Sequence, residues 1–85
     1  MIIVTHQAEQ HQFIYQQEGE QAHLRYRHLD ADTVEAFNTY VPPALRNAGV
    51  ADKLARAFYQ WTRSQSLTIV PSCSYIEVWL SRHGE

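Results

Sequence analysis

Residues 40–51 have the sequence YVPPALRNAGVA. Pro42 and Pro43 have no N–H group to donate to a sheet, so a strand that precedes them must end by Val41. From Val50 onward, apolar residues recur at spacings of three and four, which is typical of an amphipathic helix. The stretch is therefore predicted to run from a strand through a short loop into a helix.

This junction has the features of an anion site. The first turn of a helix has N–H groups without intrahelical partners, and the aligned peptide dipoles add partial positive charge there. Gly49 would let the backbone approach a diphosphate, Arg46 would supply a planar cation for its oxygens, and Ala51 would keep the entrance small. The alternative is that Gly49 is only a loop glycine before a helix. The candidate ligand-binding residues are Val41, Arg46, Asn47, Ala48, Gly49, Val50 and Ala51.

Three strands are predicted before the junction. Residues 11–17 are rich in aromatic and β-branched side chains, and residues 18–19 offer a turn into a hairpin. In residues 20–29 apolar and polar side chains alternate, as in a half-exposed strand. Residues 33–41 form the third strand, and residues 2–5 are a candidate for an additional N-terminal strand.

A helix, a strand and a second helix are predicted after the loop. The helix covers residues 50–63, and residues 67–70 are apolar enough for a strand that is buried on both faces, deep in the sheet. Pro71 closes that strand, and Ser72 is expected to cap the final helix. The order is β-β-β-α-β-α. The predicted apolar faces are Val50, Leu54, Ala57, Phe58 and Trp61 on the first helix, and Cys73, Ile76, Trp79 and Leu80 on the second.

The composition is that of a single globular domain over residues 1–85. Hydrophobic residues make up 45% and charged residues 19% of the chain, which suits one core but leaves no room for two. The net charge is −2 and the basic residues are spread along the chain, which argues against nucleic-acid binding. The first residues lack the basic flank and long apolar run of a signal peptide, so none is expected, and no later apolar run approaches the ~20 residues that a membrane span needs. Cys73 is the single cysteine, which excludes an internal disulfide, and we expect a cytoplasmic protein.

The pattern Arg-x-x-Gly-x-Ala in residues 46–51 resembles a motif of the GNAT acetyltransferase superfamily. That motif has Arg or Gln, two residues, Gly, one residue, and then Gly or Ala, and it requires a preceding strand and a following helix. Residues 38–46, 70–75 and 82–83 also resemble the very short, single-domain branch of the superfamily. The resemblance covers nearly the whole chain.

The resemblance implies an α+β fold with a mixed sheet in which two neighbouring strands splay apart. These strands would be residues 33–41 and 67–70. It further implies that acetyl-coenzyme A (acetyl-CoA) binds with its diphosphate on residues 46–51 and its pantetheine arm between the two strands.

Three residues depart from the pattern of this branch. Asn38 stands where His is usual, Tyr40 stands where an acidic residue is common, and Asn47 stands where Gly often follows the motif's Arg. Asn38 cannot act as a general base. Asn47 is a milder change, because Asn tolerates unusual backbone angles. Binding is therefore expected to survive these departures better than catalysis.

Cys73 and Tyr75 are the candidate catalytic residues. Cys73 lies at a predicted helix start, where the dipole lowers a thiol pKa, and the resemblance places it near the acyl group, where it could form an acyl-cysteine intermediate. The resemblance also implies that Tyr75 corresponds in rough position to the tyrosine that protonates the leaving thiolate in many GNAT enzymes. The alternatives are a packed thiol and a packed tyrosine with one satisfied hydroxyl.

The five histidines do not indicate a metal site. His23 and His28 are five residues apart on one strand and hence on opposite faces, and His6 and His11 have the same odd spacing. No metal is therefore expected. His83 matches the Arg-His ending of the branch, and a cation at a helix C-terminus explains it equally well.

The leading functional hypothesis is an acetyl-CoA-dependent acyltransferase whose acceptor is a small molecule, a protein lysine or Cys73 itself. The second is a non-catalytic CoA-binding or interaction module, which Asn38 and the missing acidic residue at position 40 motivate. The third is a β-rich adaptor that binds no ligand. The expected assembly is a monomer or a weak homodimer.

Overall fold

The computed structural model of the chain describes residues 3–83, and none of the helices in that range is long and apolar enough to cross a membrane. Two short 3-10 helices, Ala8–Gln10 and Pro43–Ala48, interrupt the regular elements. The regular elements are β1 (Thr5–Gln7), β2 (Gln12–Gln17), β3 (Glu20–Asp30), β4 (Thr33–Tyr40), α1 (Val50–Ser64), β5 (Thr68–Pro71) and α2 (Ser74–His83).

The strands form one sheet in the order β1-β2-β3-β4-β5. The first four strands pair antiparallel with their neighbours in sequence, whereas β4 and β5 are parallel, from Thr33 opposite Thr68 to Ala36 opposite Pro71. A parallel pair needs a crossover connection, and α1 supplies it. The predicted α+β fold with a mixed sheet is confirmed.

The hydrophobic core lies on one face of the sheet. Ala22, Leu24 and Tyr26 of β3 are buried there, in the predicted alternation, and both helices contribute residues to the same cluster. We call the other face of the sheet, which carries His23 and Arg25, the open face, because neither helix covers it. The buried residues of α1 are Val50, Leu54, Ala55, Phe58 and Thr62, while Ala57 and Trp61 pack half-buried at the edge of the core.

The prediction that β5 lies deep in the sheet with both faces buried is wrong. β5 is the last strand at one edge, where Thr68 is exposed and Val70 is 36% exposed. Only one face of the strand meets the core, through Ile69, while Val70 lies on the open face opposite Glu35. Pro71 has no N–H group to offer a further strand, which blunts this edge.

The N-terminal strand lies later in the chain than predicted. β1 covers Thr5–Gln7 rather than residues 2–5, and residues 1–2 lie outside the described part of the chain. Its pairing places His6 opposite Phe13 on the core face, where the two rings stack at 4.1 Å. This contact between two aromatic rings accounts for the position of the strand.

Ser72 does not cap the final helix as predicted. The carbonyl of Cys73 accepts the first helical hydrogen bond of α2, from the N–H of Glu77 at 3.0 Å. The Ser72 hydroxyl donates instead to the carboxylate of Glu35 on β4. A side chain of the sheet therefore holds the turn between β5 and α2.

Candidate active site

The middle of the loop between β4 and α1 packs into the core, while the backbone at its end is accessible. Leu45 is buried in the core, and its N–H donates to the carbonyl of Pro42 at 2.9 Å. Gly49 ends the 3-10 helix in the left-handed conformation, with φ at +74°, which side chains disfavour. A Cβ atom on Gly49 would meet no atom within 4 Å. The space beside this backbone is therefore free, as the approach of a phosphate group requires.

The first turn of α1 has no side-chain cap, because Gly49 precedes it. The first hydrogen bond of the helix runs from the N–H of Lys53 to the carbonyl of Gly49 at 3.2 Å. The N–H groups of residues 50–52 come before this bond and have no intrahelical acceptor. With the partial positive charge of the helix dipole, they form a set of donors suited to an anion.

Arg46 lies on the surface of this loop. Its Nε donates to the carbonyl of Val41 at 2.9 Å, which ties the end of the 3-10 helix back to the end of β4. This bond uses one of the five donors of the guanidinium. The terminal amino groups have no partner among residues 3–83, so the side chain can hold the loop and bind an anion at once. Asn47 and Ala48 complete the 3-10 helix between Arg46 and Gly49.

The sheet opens beyond the middle of β4. Pairing with β5 ends at Ala36 opposite Pro71, and the last link is the hydrogen bond from the N–H of Cys73 to the carbonyl of Ala36 at 3.0 Å. β4 continues to Tyr40 and pairs there only with β3. Residues 37–40 therefore border a gap between the two parallel strands, which is the splay that was predicted.

Cys73 lies half-buried where this gap begins, at the start of α2. Its Sγ is 3.6 Å from Oγ1 of Thr39. Burial raises the pKa of the Cys73 thiol, but hydrogen bonding with the Thr39 side chain and with the backbone of Ile76, Tyr75 and Thr39 outweighs it. The pKa of Cys73 is therefore lower than that of an ordinary thiol, which favours the nucleophilic thiolate.

A β-bulge in β4 determines which residue faces Cys73. Tyr26 lies opposite Ala36 but Arg25 lies opposite Asn38, so Phe37 is an extra residue in β4. The bulge places Asn38 on the open face, where its Oδ1 accepts a hydrogen bond from His23 Nε2 at 2.6 Å. Residue 39 thereby returns to the core face. Sequence alternation alone could not reveal this shift, and it left Thr39 out of the predicted site.

A chain of polar contacts fixes the turn that carries Cys73. The Ser72 hydroxyl donates to Glu35, and Glu35 also pairs with Arg27 of β3 at 3.1 Å. The guanidinium of Arg27 in turn lies 4.1 Å from the centre of the Phe37 ring. These contacts hold the end of β5 against β4 at the point where the gap opens.

Tyr75 lies in the first turn of α2 and is 37% exposed. Burial and the negative charge of Asp52 raise the pKa of Tyr75, while Arg82 lowers it, and the net direction is upward. Tyr75 therefore keeps its proton at neutral pH, as a proton donor must. The influence of Asp52 places Tyr75 near the first turn of α1, which was not apparent from sequence.

The predicted site residues thus come from three neighbouring segments. Residues 46–51 cover the end of the loop and the first two residues of α1, Val41 directly follows β4, Cys73 directly precedes α2, and Tyr75 lies in the first turn of α2. Asp52 of α1 accepts a hydrogen bond from Trp79 of α2 at 2.8 Å, which joins the two helices next to the loop.

A cavity of about 310 Å³ lies elsewhere, between the C-terminal half of α1, β5 and α2. Its walls are Tyr59, Thr62, Arg63, Leu67, Thr68, Ile69 and Leu80. It is at the far end of α1 from Gly49, so it is separate from the predicted diphosphate site.

Three of the histidines, His6, His11 and His28, lie around Tyr26 at the other end of the sheet. His6 forms a hydrogen bond of 2.6 Å with the buried Tyr26 hydroxyl, and the rings of His11 and His28 are 5.3 Å apart. Residues 3–83 contain no group of three or more His, Cys, Asp or Glu side chains placed to hold a metal ion. His83 stacks on Trp79 at 4.6 Å in the last turn of α2.

Comparison with known proteins agrees with this geometry. The family model of the GCN5-related N-acetyl-transferase matches residues 12–85. The chain belongs to this family. The chain is also 30% identical over 84 residues to Protein NATD1 of Xenopus tropicalis, a match that covers 96% of this chain and 77% of that protein. The GNAT match spans both the 46–51 loop and Cys73.

Proposed function

We propose that this protein is an acetyl-CoA-dependent acyltransferase that holds the coenzyme diphosphate on residues 46–51. The observation that carries this proposal is the junction at Gly49, where a left-handed glycine with open space beside it precedes an uncapped helix. Backbone donors, the helix dipole and the guanidinium of Arg46 all suit a diphosphate. Membership of the GCN5-related family supports acetyl-CoA as the donor.

The chemistry we propose starts at Cys73. Its thiolate attacks the carbonyl carbon of the acetyl thioester, a bond forms between that carbon and Sγ, and the bond to the coenzyme sulfur breaks. The departing coenzyme thiolate takes a proton from the Tyr75 hydroxyl, which is restored from water. An acceptor amine then attacks the acetyl-cysteine, loses a proton to solvent and releases the Cys73 thiolate.

The acceptor is proposed to be an amine of a small molecule or a protein lysine, as is usual for the superfamily. We also propose a cytoplasmic location, because a single unpaired cysteine suits a reducing compartment. The proposed assembly is a monomer or a weak homodimer.

A non-catalytic CoA-binding module is the second candidate, and one observation favours it. Asn38 cannot accept a proton as the usual His does, and its side chain is engaged with His23 on the open face. In this case the coenzyme would bind without turnover.

Mass spectrometry after incubation with acetyl-CoA separates the two candidates. Acyl transfer through Cys73 predicts an added acetyl group on the peptide that contains Cys73, and hydroxylamine should remove it, as it does a thioester but not an amide. Cys73→Ser should bind coenzyme but carry no labile acetyl group. If acetyl-CoA binds but neither acetylates Cys73 nor is hydrolysed, the result would favour the non-catalytic module.

A further inference from the structure

We propose that Thr39 is a positioning residue whose hydroxyl hydrogen-bonds the Cys73 sulfur and stabilises its thiolate, in place of a general base. This inference rests on the proposed role of Cys73 in acyl transfer. The Thr39 hydroxyl borders the gap between β4 and β5, and no sequence motif indicated a role for it.

The bulge at Phe37 makes this contact possible. In an uninterrupted strand, residue 39 would follow Glu35 and Phe37 onto the open face. The extra residue reverses that alternation, so Thr39 lies opposite the fully buried Leu24 on the core face. Its Oγ1 is then 3.6 Å from Sγ of Cys73, across the gap in the sheet. The backbone irregularity and the contact with Cys73 are thus parts of one arrangement.

The donors around Sγ come from two elements. On β4 they are the backbone N–H of Thr39 and its hydroxyl, which accepts from the neutral thiol and turns to donate to the thiolate. The N–H groups of Tyr75 and Ile76 belong to the first turn of α2. Each of them favours the charged thiolate over the neutral thiol, because a thiolate is the stronger hydrogen-bond acceptor.

No charged side chain is needed for this effect. The surrounding elements carry charged side chains, among them Glu35 on β4, Asp52 on α1 and Glu77 on α2. None of these charges contributes to the lowered pKa of Cys73, which comes from hydrogen bonds alone. The thiol is therefore expected to titrate as a single group.

This arrangement also bears on the departure at residue 38. Asn38 and Cys73 lie on opposite faces of the sheet, so the side chain at 38 cannot set the ionisation of the thiol. The loss of His at that position leaves the Thr39–Cys73 pair intact. Asn38 thus provides a matched control one residue away from Thr39.

The test is the rate of Cys73 alkylation by iodoacetamide as a function of pH, in the wild type, Thr39→Val, Thr39→Ser and Asn38→Ala. Thr39→Val removes the hydroxyl with little change of volume, and it should lower the rate at pH ~7 about fivefold to tenfold and move the titration midpoint upward. Thr39→Ser keeps the hydroxyl and should restore the rate to within about twofold. Asn38→Ala should match the wild type. Circular dichroism melting checks that each variant is folded. If Thr39→Val does not fold, Thr39→Ala takes its place.

A valine variant with the wild-type pH profile, or a serine variant that fails to restore it, would overturn the assignment of Thr39. An equal loss of rate in Asn38→Ala would also overturn it, since a general disturbance of β4 would then be the cause. The acetyl adduct on Cys73 is a separate measurement. A shifted profile in Thr39→Val with no adduct in the wild type would support the role of Thr39 and refute acyl transfer through Cys73.

Discussion

The carboxylate of Asp52, in the first turn of α1, accepts a hydrogen bond from Nε1 of Trp79 in α2 at 2.8 Å. The same carboxylate oxygen lies 3.6 Å from the guanidinium of Arg56. α1 begins at the proposed diphosphate loop and α2 begins directly after Cys73, so this bond helps to set the position of one part of the proposed site relative to the other. It is a contact between two helices that the sequence pattern did not predict.

Asp52→Asn should keep an acceptor for Trp79 but lose the charge. The hydrogen bond from Trp79 lowers the pKa of Asp52 most, burial opposes it, and the nearby cations Arg56, His83 and Lys53 add to the lowering. A carboxyl with a lowered folded pKa stabilises the protein above its unfolded pKa of ~3.9, and this contribution is lost as pH falls through the folded pKa.

Urea unfolding of the wild type and Asp52→Asn at several pH values measures this effect. We expect Asp52→Asn to be less stable at pH 7 by about 1 kcal/mol or less, because the side chain is partly exposed, and the gap should close in acid. A difference that stays constant down to pH ~2 would show that the charge of Asp52 is not its cause.

Gly49→Val should abolish the stabilisation of the protein by acetyl-CoA. The valine would occupy the open space in which we place the diphosphate, and the left-handed backbone would cost about 1–2 kcal/mol of stability. Gly19→Val is the matched control, because Gly19 also has a positive φ, +82°, and no atom within 4 Å of a Cβ.

Both variants should melt at a lower temperature than the wild type, by several degrees for each kcal/mol. Only Gly49→Val should lose the upward shift in Tm on addition of acetyl-CoA. A normal ligand-induced shift in Gly49→Val would remove residues 46–51 from the binding site.

Much of this fold was predictable because local patterns decide it. The alternation in β3, the prolines after β4 and the spacing of apolar residues in α1 each follow from contacts within one element. The helix start at Gly49 could be predicted for the same reason, and with it the candidate anion site.

The sequence failed to predict the features that are determined by contacts between segments distant in sequence. β5 is apolar although it lies at an edge, because Ile69 covers the core on one side and Val70 remains on the open face. The bulge at Phe37 depends on the register with β3 and reverses the faces of Asn38 and Thr39. Neither feature has a signal in the local sequence, and the second one decides what lies beside Cys73.

Arg46→Ala should weaken acetyl-CoA binding about tenfold or more at low salt, because a charged contact to phosphate is lost. The difference from the wild type should shrink as salt rises from ~50 mM to ~0.5 M, since ions screen the contact. Arg46→Lys keeps the charge but loses the bond from Nε to Val41. Its affinity for acetyl-CoA should therefore lie between those of the wild type and Arg46→Ala.

Arg25→Ala is the matched control, because Arg25 is an exposed arginine on the open face. Titrations at both salt concentrations give the affinities. If Arg46→Ala and Arg25→Ala weaken binding equally, the effect is one of net charge, and Arg46 is not a ligand.

Acid should destabilise the end of the sheet that contains His6. Burial lowers the pKa of His6 and the charge of His11 lowers it further, while the imidazole keeps its hydrogen bond with Tyr26. The unfolded chain then binds a proton at His6 before the folded chain does. The contribution of neutral His6 to the free energy of unfolding is therefore fully present above the unfolded pKa of ~6.5. It is lost as the pH drops through the folded pKa.

Chemical unfolding between pH 8 and pH 5 tests this expectation. His6→Gln removes the titrating group, so its stability should fall less over this range than that of the wild type. An identical fall in both proteins would mean that His6 does not carry the pH dependence.

Isothermal titration with acetyl-CoA tests the central claim most directly, because the account depends on a coenzyme site at residues 46–51. We predict one saturable site per chain with Kd below ~1 mM. Coenzyme A should compete for this site, and adenosine, which lacks the diphosphate, should not. A folded protein that binds neither acetyl-CoA nor coenzyme A at ~1 mM would contradict the account.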